Sequence, residues 1–254
     1  MKITIAGYGY VGKAVDTCLS VNHTTYIVDP KINKNKINDF SENALIICVS
    51  TPQGEDGSCD MRNVLDCIEQ AAENTPILIK STISIEGWQQ IKELYPIRRV
   101  TFSPEFLRAE TAIEDFITQK SMYLSEGNHE FWLNIFHEAL PNAGFKTGTA
   151  EELILTKYFR NSFLATKVSF FNQVYDLCKV LNTNYSKVIA CVTDDERIGN
   201  SHSNVTQERG FGGHCFPKDL IIESHIMDGD IGKVNDIVAK IRGSARTILK
   251  RERV

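Results

Sequence analysis

One cysteine in this chain sits where a substrate could reach it. In Gly210-Phe211-Gly212-Gly213-His214-Cys215-Phe216-Pro217-Lys218-Asp219, Cys215 lies among glycines, with a lysine and an aspartate close behind. Glycines let the backbone turn sharply and admit a ligand closely. A nearby cation lowers a thiol's pKa toward the reactive thiolate. Cys215 is thus a candidate nucleophile. The competing reading is a glycine turn with an incidental cysteine, because most cysteines are small buried hydrophobes. A second constellation stands at the other end of the chain. Gly7-Tyr8-Gly9-Tyr10-Val11-Gly12 follows the apolar run Lys2-Ile3-Thr4-Ile5-Ala6 and precedes a helix-compatible run, Lys13 to Ser20. A further apolar run, Thr24 to Val28, ends at Asp29. Spaced glycines between a strand and a helix, with an acid after the next strand, bind dinucleotides. Gly7 permits the tight turn, Gly9 lets the pyrophosphate approach and Gly12 lets helix pack on strand. Tyr10, Val11 and Gly12 lead into the helix, whose N-terminus favours phosphate. Asp29 would bind the ribose hydroxyls and repel a 2′-phosphate, which favours NAD over NADP. Lys31, counted with the cofactor contacts, and Lys34 weaken that preference.

The elements that must position these groups read as an open parallel sheet. Ala44 to Val49 is continuously apolar, as in a strand buried on both faces. It ends at Ser50-Thr51-Pro52; Pro76 to Lys80 ends at Ser81-Thr82, and Arg99 to Phe102 at Ser103-Pro104. Ligands bind beyond the carboxyl ends of such strands, which makes Thr51 and Thr82 candidate cofactor contacts. Ordinary turn and N-cap duty is the alternative for both. The stretch from Asp29 to Ser50 has no room for another helix and strand. The third strand of the usual 3-2-1-4-5-6 order is therefore expected to be missing, leaving the Tyr26 strand at an edge with Lys31, Lys34 and Lys36 to discourage pairing. Thr149-Ala150-Glu151-Glu152 fits a capping box. The helix it opens runs to about Leu181, with apolar residues around most of its circumference, as expected of a helix buried on all sides. A homodimer through this helix, residues 149–181, is the expected means of covering it. A shorter helix around Ser186 to Thr193 and a terminal helical region follow. The expectation is an α/β protein: a Rossmann-type domain over 1–148, then an all-α domain over 149–254 that carries Cys215.

Bulk properties exclude several classes. A net charge of −4 argues against nucleic acid or an anionic membrane as the main partner. No apolar run approaches the ~20 residues of a membrane span, and the N-terminus enters a strand with no signal-peptide pattern. Seven cysteines, an odd number, show no C-x-x-C pair or zinc spacing with histidines. Reduced thiols in the cytoplasm and no metal site are expected.

Taken in order, the motifs resemble the UDP-glucose 6-dehydrogenase family. The blocks are the glycine loop, Ser50-Thr51-Pro52, Lys80-Ser81-Thr82, Ser103-Pro104-Glu105-Phe106-Leu107-Arg108, Lys157 with Asn161, Arg197-Ile198-Gly199 and the Cys215 block. The resemblance implies NAD-dependent, four-electron oxidation of a nucleotide sugar, UDP-glucose to UDP-glucuronate. Cys215 would add to the aldehyde, giving a thiohemiacetal and then a thioester that water hydrolyses. It also implies roles. Lys157 would stabilise the oxyanion, with Asn161 one turn later. Asp219 would orient the hydrolytic water, and Glu105 would act as general base through water. Phe106, Leu107, Arg108, Phe211 and Gly212 would contact the substrate, and Arg197 would reach it across the dimer. Each has a plainer reading: Lys157 and Asn161 as a solvated helix face, Glu105 as the cap of a helix starting at Phe106, and Asp219 as the cap of one starting at Leu220.

Four departures from the family pattern stand out, the missing third strand among them. The chain ends at Val254, before the second, UDP-binding domain that family members usually have, so a shortened form is expected. Ala109-Glu110 replaces the usual Glu-Gly after Arg108. His214 stands where the UDP-glucose group often has serine and resembles relatives that oxidise N-acetylated hexosamine nucleotides. Two other classes remain open: a two-electron β-hydroxyacid-type dehydrogenase, which needs no cysteine, and a non-catalytic NAD- or nucleotide-binding subunit.

Overall fold

The β-branched run at the chain start forms the central strand of a parallel sheet. The computed structural model describes residues 1–40, 43–54, 58–96, 99–207 and 209. The glycine-rich segment with Phe211, Gly212, Cys215 and Asp219, and the expected terminal helix, lie outside the described residues. The chain divides into a compact unit, Met1–Lys157, and a second beginning at Tyr158.

In the first unit, β1 (Lys2–Ala6), β2 (Thr24–Val28), β3 (Ala44–Ile47), β4 (Ile77–Ile79) and β5 (Val100–Phe102) form one sheet in the order β2-β1-β3-β4-β5. Every pairing is parallel. Every residue of β3 and β4 is buried, odd and even positions alike. That is the signature of a sheet covered on both faces. The described residues between β2 and β3 hold a single 3-10 turn, Ile37–Asp39, and no strand. The sheet therefore has the expected order with the third strand absent, and β2 is its edge.

Helix α1 (Tyr10–Leu19) starts three residues earlier than the sequence suggests. Gly9 is its extended N-cap, and the Lys13 N–H already donates to the Gly9 carbonyl at 3.0 Å. Tyr10, Val11 and Gly12 thus belong to the first turn. Helices α2 (Arg62–Gln70) and α3 (Ile85–Leu94) follow β3 and β4. Ser84 caps α3 by accepting the Gly87 N–H. After β5 come α4 (Ala112–Ile117) and a two-stranded parallel pair, β6 (Ser121–Ser125) and β7 (Gly144–Gly148), with α5 (His129–Ala139) between them. Ile3, Ile5, Ile46 and Leu78 of the sheet share a core with Val15 of α1, Phe116 of α4 and Trp132 of α5.

Helix α6 (Ala150–Val180) opens on the expected capping box. The Thr149 N–H donates to Glu152 Oε2 at 2.8 Å, and the Glu152 N–H to Thr149 Oγ1 at 3.2 Å. Most of α6 belongs to the second unit. There Ala165, Phe171 and Cys178 are buried, whereas Phe159, Phe163, Phe170, Leu177 and Val180 are exposed. Burial on all sides was the expectation; the described residues of one chain leave an apolar stripe of the helix uncovered. Helix α7 (Tyr185–Thr193) is capped by Asn184, whose side chain accepts the Lys187 N–H.

Candidate active site

Strand order reverses between β1 and β3, and the carboxyl ends of those strands bound the crevice where such sheets take ligands. The glycine loop stands there. Gly7 has φ +88°, and a Cβ on it would lie 2.6 Å from the Cys48 carbonyl oxygen. A Cβ on Gly12 would lie 2.0 Å from the Gly7 carbonyl oxygen. These two glycines are required by close packing of the loop on β3 and on its own helix. Around a Cβ on Gly9 nothing lies within 4 Å. That open flank, at the N-terminal end of α1, is where a diphosphate needs room.

Asp29 follows β2 beside the loop. Its Oδ2 accepts the Tyr8 N–H at 2.7 Å and its Oδ1 the Lys31 N–H at 2.8 Å. Each carboxylate oxygen keeps acceptor capacity for a ribose hydroxyl. A network unread from the sequence fixes the loop from below. Asp16 accepts the Tyr8 hydroxyl at 2.5 Å and the Thr25 hydroxyl at 2.6 Å. The hydrogen bond to Asp16, with burial and its charge, pushes the Tyr8 phenol up to about 12. Tyr10 and Val11 turn their side chains to the core. Thr51 and Thr82 are brought together: the Thr51 hydroxyl donates to the Thr82 carbonyl at 2.7 Å. The loop, the open flank at Gly9 and the oriented acid fit a dinucleotide.

Beyond the next two strand ends the chain gathers charge. No helix begins at Phe106, so Glu105 is not a helix cap; it is buried in the extended stretch after β5. Glu105 Oε1 accepts the Phe106 N–H at 2.9 Å, and Oε2 lies 3.0 Å from Lys80 Nζ. Lys157 is buried as well, which removes the solvated-face reading for it. Its ammonium donates to the Glu105 main-chain carbonyl at 2.6 Å and lies 5.8 Å from the centre of the Phe106 ring. A lysine of the long helix thus meets the carboxyl end of β5, across 52 residues of sequence. Lys80 was quoted in a motif and given no role. The signal was present: it closes an otherwise apolar, fully buried strand.

Other expected site residues stand apart from this cluster. Arg108 is exposed and pairs with Asp115 through two nitrogens, holding that carboxyl down at about 2. The Leu107 side chain packs on the core, and Phe106 meets Tyr123 edge to face. In the second unit, Asn161 is buried, one turn beyond Lys157 along α6. Arg197 is exposed and paired with Asp195, two residues away. The loop that bears it is anchored by Lys167, which donates to the Ile198 and Gly199 carbonyls at 2.7 and 3.0 Å.

Thiols among the described residues offer poor nucleophiles near the sheet. Burial pushes Cys18 up to about 11 and Cys48 and Cys67 up to about 12. No group of three His, Cys, Asp or Glu among the described residues could hold a metal ion. No described helix is long and apolar enough to cross a membrane.

Comparison with known proteins agrees with this geometry. Residues 40–130 match the profile of the UDP-glucose/GDP-mannose dehydrogenase family, NAD binding domain, and residues 149–233 that of the central domain. The UDP-glucose 6-dehydrogenase of Rickettsia felis is 30% identical over 92% of this chain and 63% of its own length. That of Rickettsia typhi is 33% identical over 75% of this chain and 46% of its own. This chain thus spans less than two thirds of the relatives it matches. A UDP-glucose dehydrogenase structure from Pyrobaculum islandicum shares the fold, with a TM-score of 0.80 at 24% identity over 96% of this chain and 68% of that one. NAD is the cofactor of the N-terminal unit. With NAD-binding and central domains both present and in order, the chain belongs to the UDP-glucose/GDP-mannose dehydrogenase family.

Proposed function

We propose that the chain catalyses NAD-dependent four-electron oxidation of a nucleotide sugar, UDP-glucose to UDP-glucuronate, through Cys215. The observation that carries the reading is the meeting of Lys157 with Glu105 at the carboxyl end of β5, in the unit that binds NAD. Gly7, Tyr10, Val11, Gly12, Asp29, Lys31, Thr51 and Thr82 would hold NAD, which supplies a hydride acceptor when bound. Glu105, through a water, takes the proton from the sugar's primary alcohol as it becomes an aldehyde. The Cys215 thiolate adds to the aldehyde carbon, and Lys157 and Asn161 stabilise the oxyanion. That thiohemiacetal would become a thioester by losing its carbon-bound hydrogen as a second hydride, with a second NAD as acceptor, and its hydroxyl proton to water. Water oriented by Asp219 then adds, the carbon–sulfur bond breaks, and the carboxylate and free thiolate are released. Phe106, Leu107, Arg108, Phe211 and Gly212 line the sugar side, and Arg197 contacts substrate across a homodimer. The domains in this reading are 1–148 and 149–254. The cytoplasm suits the six described cysteines, all of them free.

Purified protein given NAD and one nucleotide sugar at a time should form two NADH per sugar with UDP-glucose. Cys215→Ser should stop beyond the aldehyde. One NADH per substrate without thiol dependence would instead select the two-electron dehydrogenase. Tight NAD binding with no turnover would select the non-catalytic subunit. Full turnover by Cys215→Ala would sink the covalent route.

A further inference from the structure

Lys80 has no part in the scheme above, yet its placement is costly. Its side chain is 1% exposed and that of its partner Glu105 8%. Taking both charges out of water costs several kcal/mol per ion, which mutual attraction returns only with good geometry and further hydrogen bonds. The ammonium has such partners: it donates to Ser103 Oγ at 3.1 Å and lies 5.5 Å from the centre of the Phe116 ring. The Lys80 main-chain N–H is fixed too, on the Ile47 carbonyl at 2.8 Å. Lys80 therefore has its root in the sheet and its tip on Glu105. An apolar pair of similar volume at such sites is often as stable or more so. Stability alone does not explain a buried ion pair at the mouth of a parallel sheet.

We infer that Lys80 is the positioning residue of Glu105. Its charge holds Oε2, which takes no hydrogen bond among the described residues, while the Phe106 N–H binds Oε1, so the carboxylate meets its water in one orientation; this rests on the general-base role assigned to Glu105 above. Lys157 holds the same residue by its carbonyl. The two lysines thereby divide the work, one on the main chain and one on the side chain. Losing Lys80 should slow the chemical step and spare binding, since neither substrate need touch it.

The test is a pair of cycles on the full chain, with Lys80→Met, Glu105→Gln and the double variant. Lys80→Met should lower kcat about tenfold or more, a part of the roughly hundredfold or greater contribution of a general base. KM for NAD and for UDP-glucose should stay within about twofold. In the Glu105→Gln background the same change should cost nothing further in kcat, because its effect runs through the carboxylate. A kcat loss equal in both backgrounds, or an unchanged kcat in Lys80→Met, overturns the assignment. Urea unfolding gives a second readout, which does not depend on turnover. Lys80→Met leaves a carboxylate buried without its cation, so Lys80→Met/Glu105→Leu should unfold at a higher urea concentration than Lys80→Met alone. A double variant no more stable than the single one overturns the positioning role. If the wild-type chain oxidises no nucleotide sugar, the proposed function fails while the urea cycle still decides whether Lys80 holds Glu105.

Discussion

The three glycines of the N-terminal loop share a residue type and differ in physical duty. Gly12 is steric: an added Cβ would sit 2.0 Å from a carbonyl oxygen of the loop's own turn. Gly9 is open, with φ −72°, a value any residue adopts. Gly12→Ala should cost about 1–3 kcal/mol of stability by overpacking, and NAD binding with it. Gly9→Ala should melt within ~0.5 kcal/mol of the parent. It should still bind NAD at least about tenfold more weakly, or about 1.4 kcal/mol, because the methyl occupies the diphosphate's approach. Thermal melts and NAD calorimetry on both variants check this, and unchanged affinity in Gly9→Ala would contradict the loop assignment. The glycine spacing was legible from sequence. Which glycine faces the protein and which faces the ligand was not, because that depends on how the loop folds on itself and on Cys48, just beyond β3.

Among the elements, the edge strand β2 poses the main hazard. A sheet without its third strand presents unpaired backbone groups there. The lysines after Asp29 suggested charge as the safeguard. The structure adds a more specific one, since Asn33 and Asn35 both donate side-chain N–H groups to the Ile27 carbonyl, at 3.0 and 3.2 Å. The Tyr26 ring is stacked on Phe40, with centroids 4.6 Å apart. Asn33→Ala/Asn35→Ala should lose about 1 kcal/mol per hydrogen bond and show concentration-dependent association on warming. A double variant as monodisperse as the parent would assign edge protection to the lysines. Other elements followed local rules closely. The Thr149–Glu152 capping box formed as read, the pair β6 and β7 was not read from the sequence, and the five expected strands differ only by losing up to two residues at their ends. Those end residues still bond the neighbouring strand, as Cys48 does to the Ala6 carbonyl at 2.7 Å. They leave the sheet to form the site.

At the scale of the molecule, the long helix carries the open question of assembly. Phe159, Phe163, Phe170 and Leu177 repeat at intervals of four and seven residues, with Phe163 68% exposed. Contiguous apolar surface of that kind marks an interaction site. The proposed homodimer would bury it. Light scattering at micromolar concentration should give twice the chain mass, and Phe163→Glu should give a monomer with a near-parental melt, since the residue is exposed. A monomeric parent would remove the dimer and, with it, the reach of Arg197 across an interface.

Some of this protein was decided by the sequence alone, wherever a rule acts over a few residues. Apolar runs gave strands, glycine spacing gave the turn into α1, and an S/T-x-x-E box opened α6. The absence of a third strand was also legible, because a chain too short for a helix and a strand cannot make them. Tertiary structure alone decided the charged cluster. Lys80 reaches Ser103 across 23 residues and Lys157 reaches Glu105 across 52. No periodicity encodes such distances; they follow from the register of β4 against β5 and from where α6 lands on their ends. Burial decided the meaning of those charges, since a lysine in water is a surface residue and a lysine beside a buried carboxylate is part of a site.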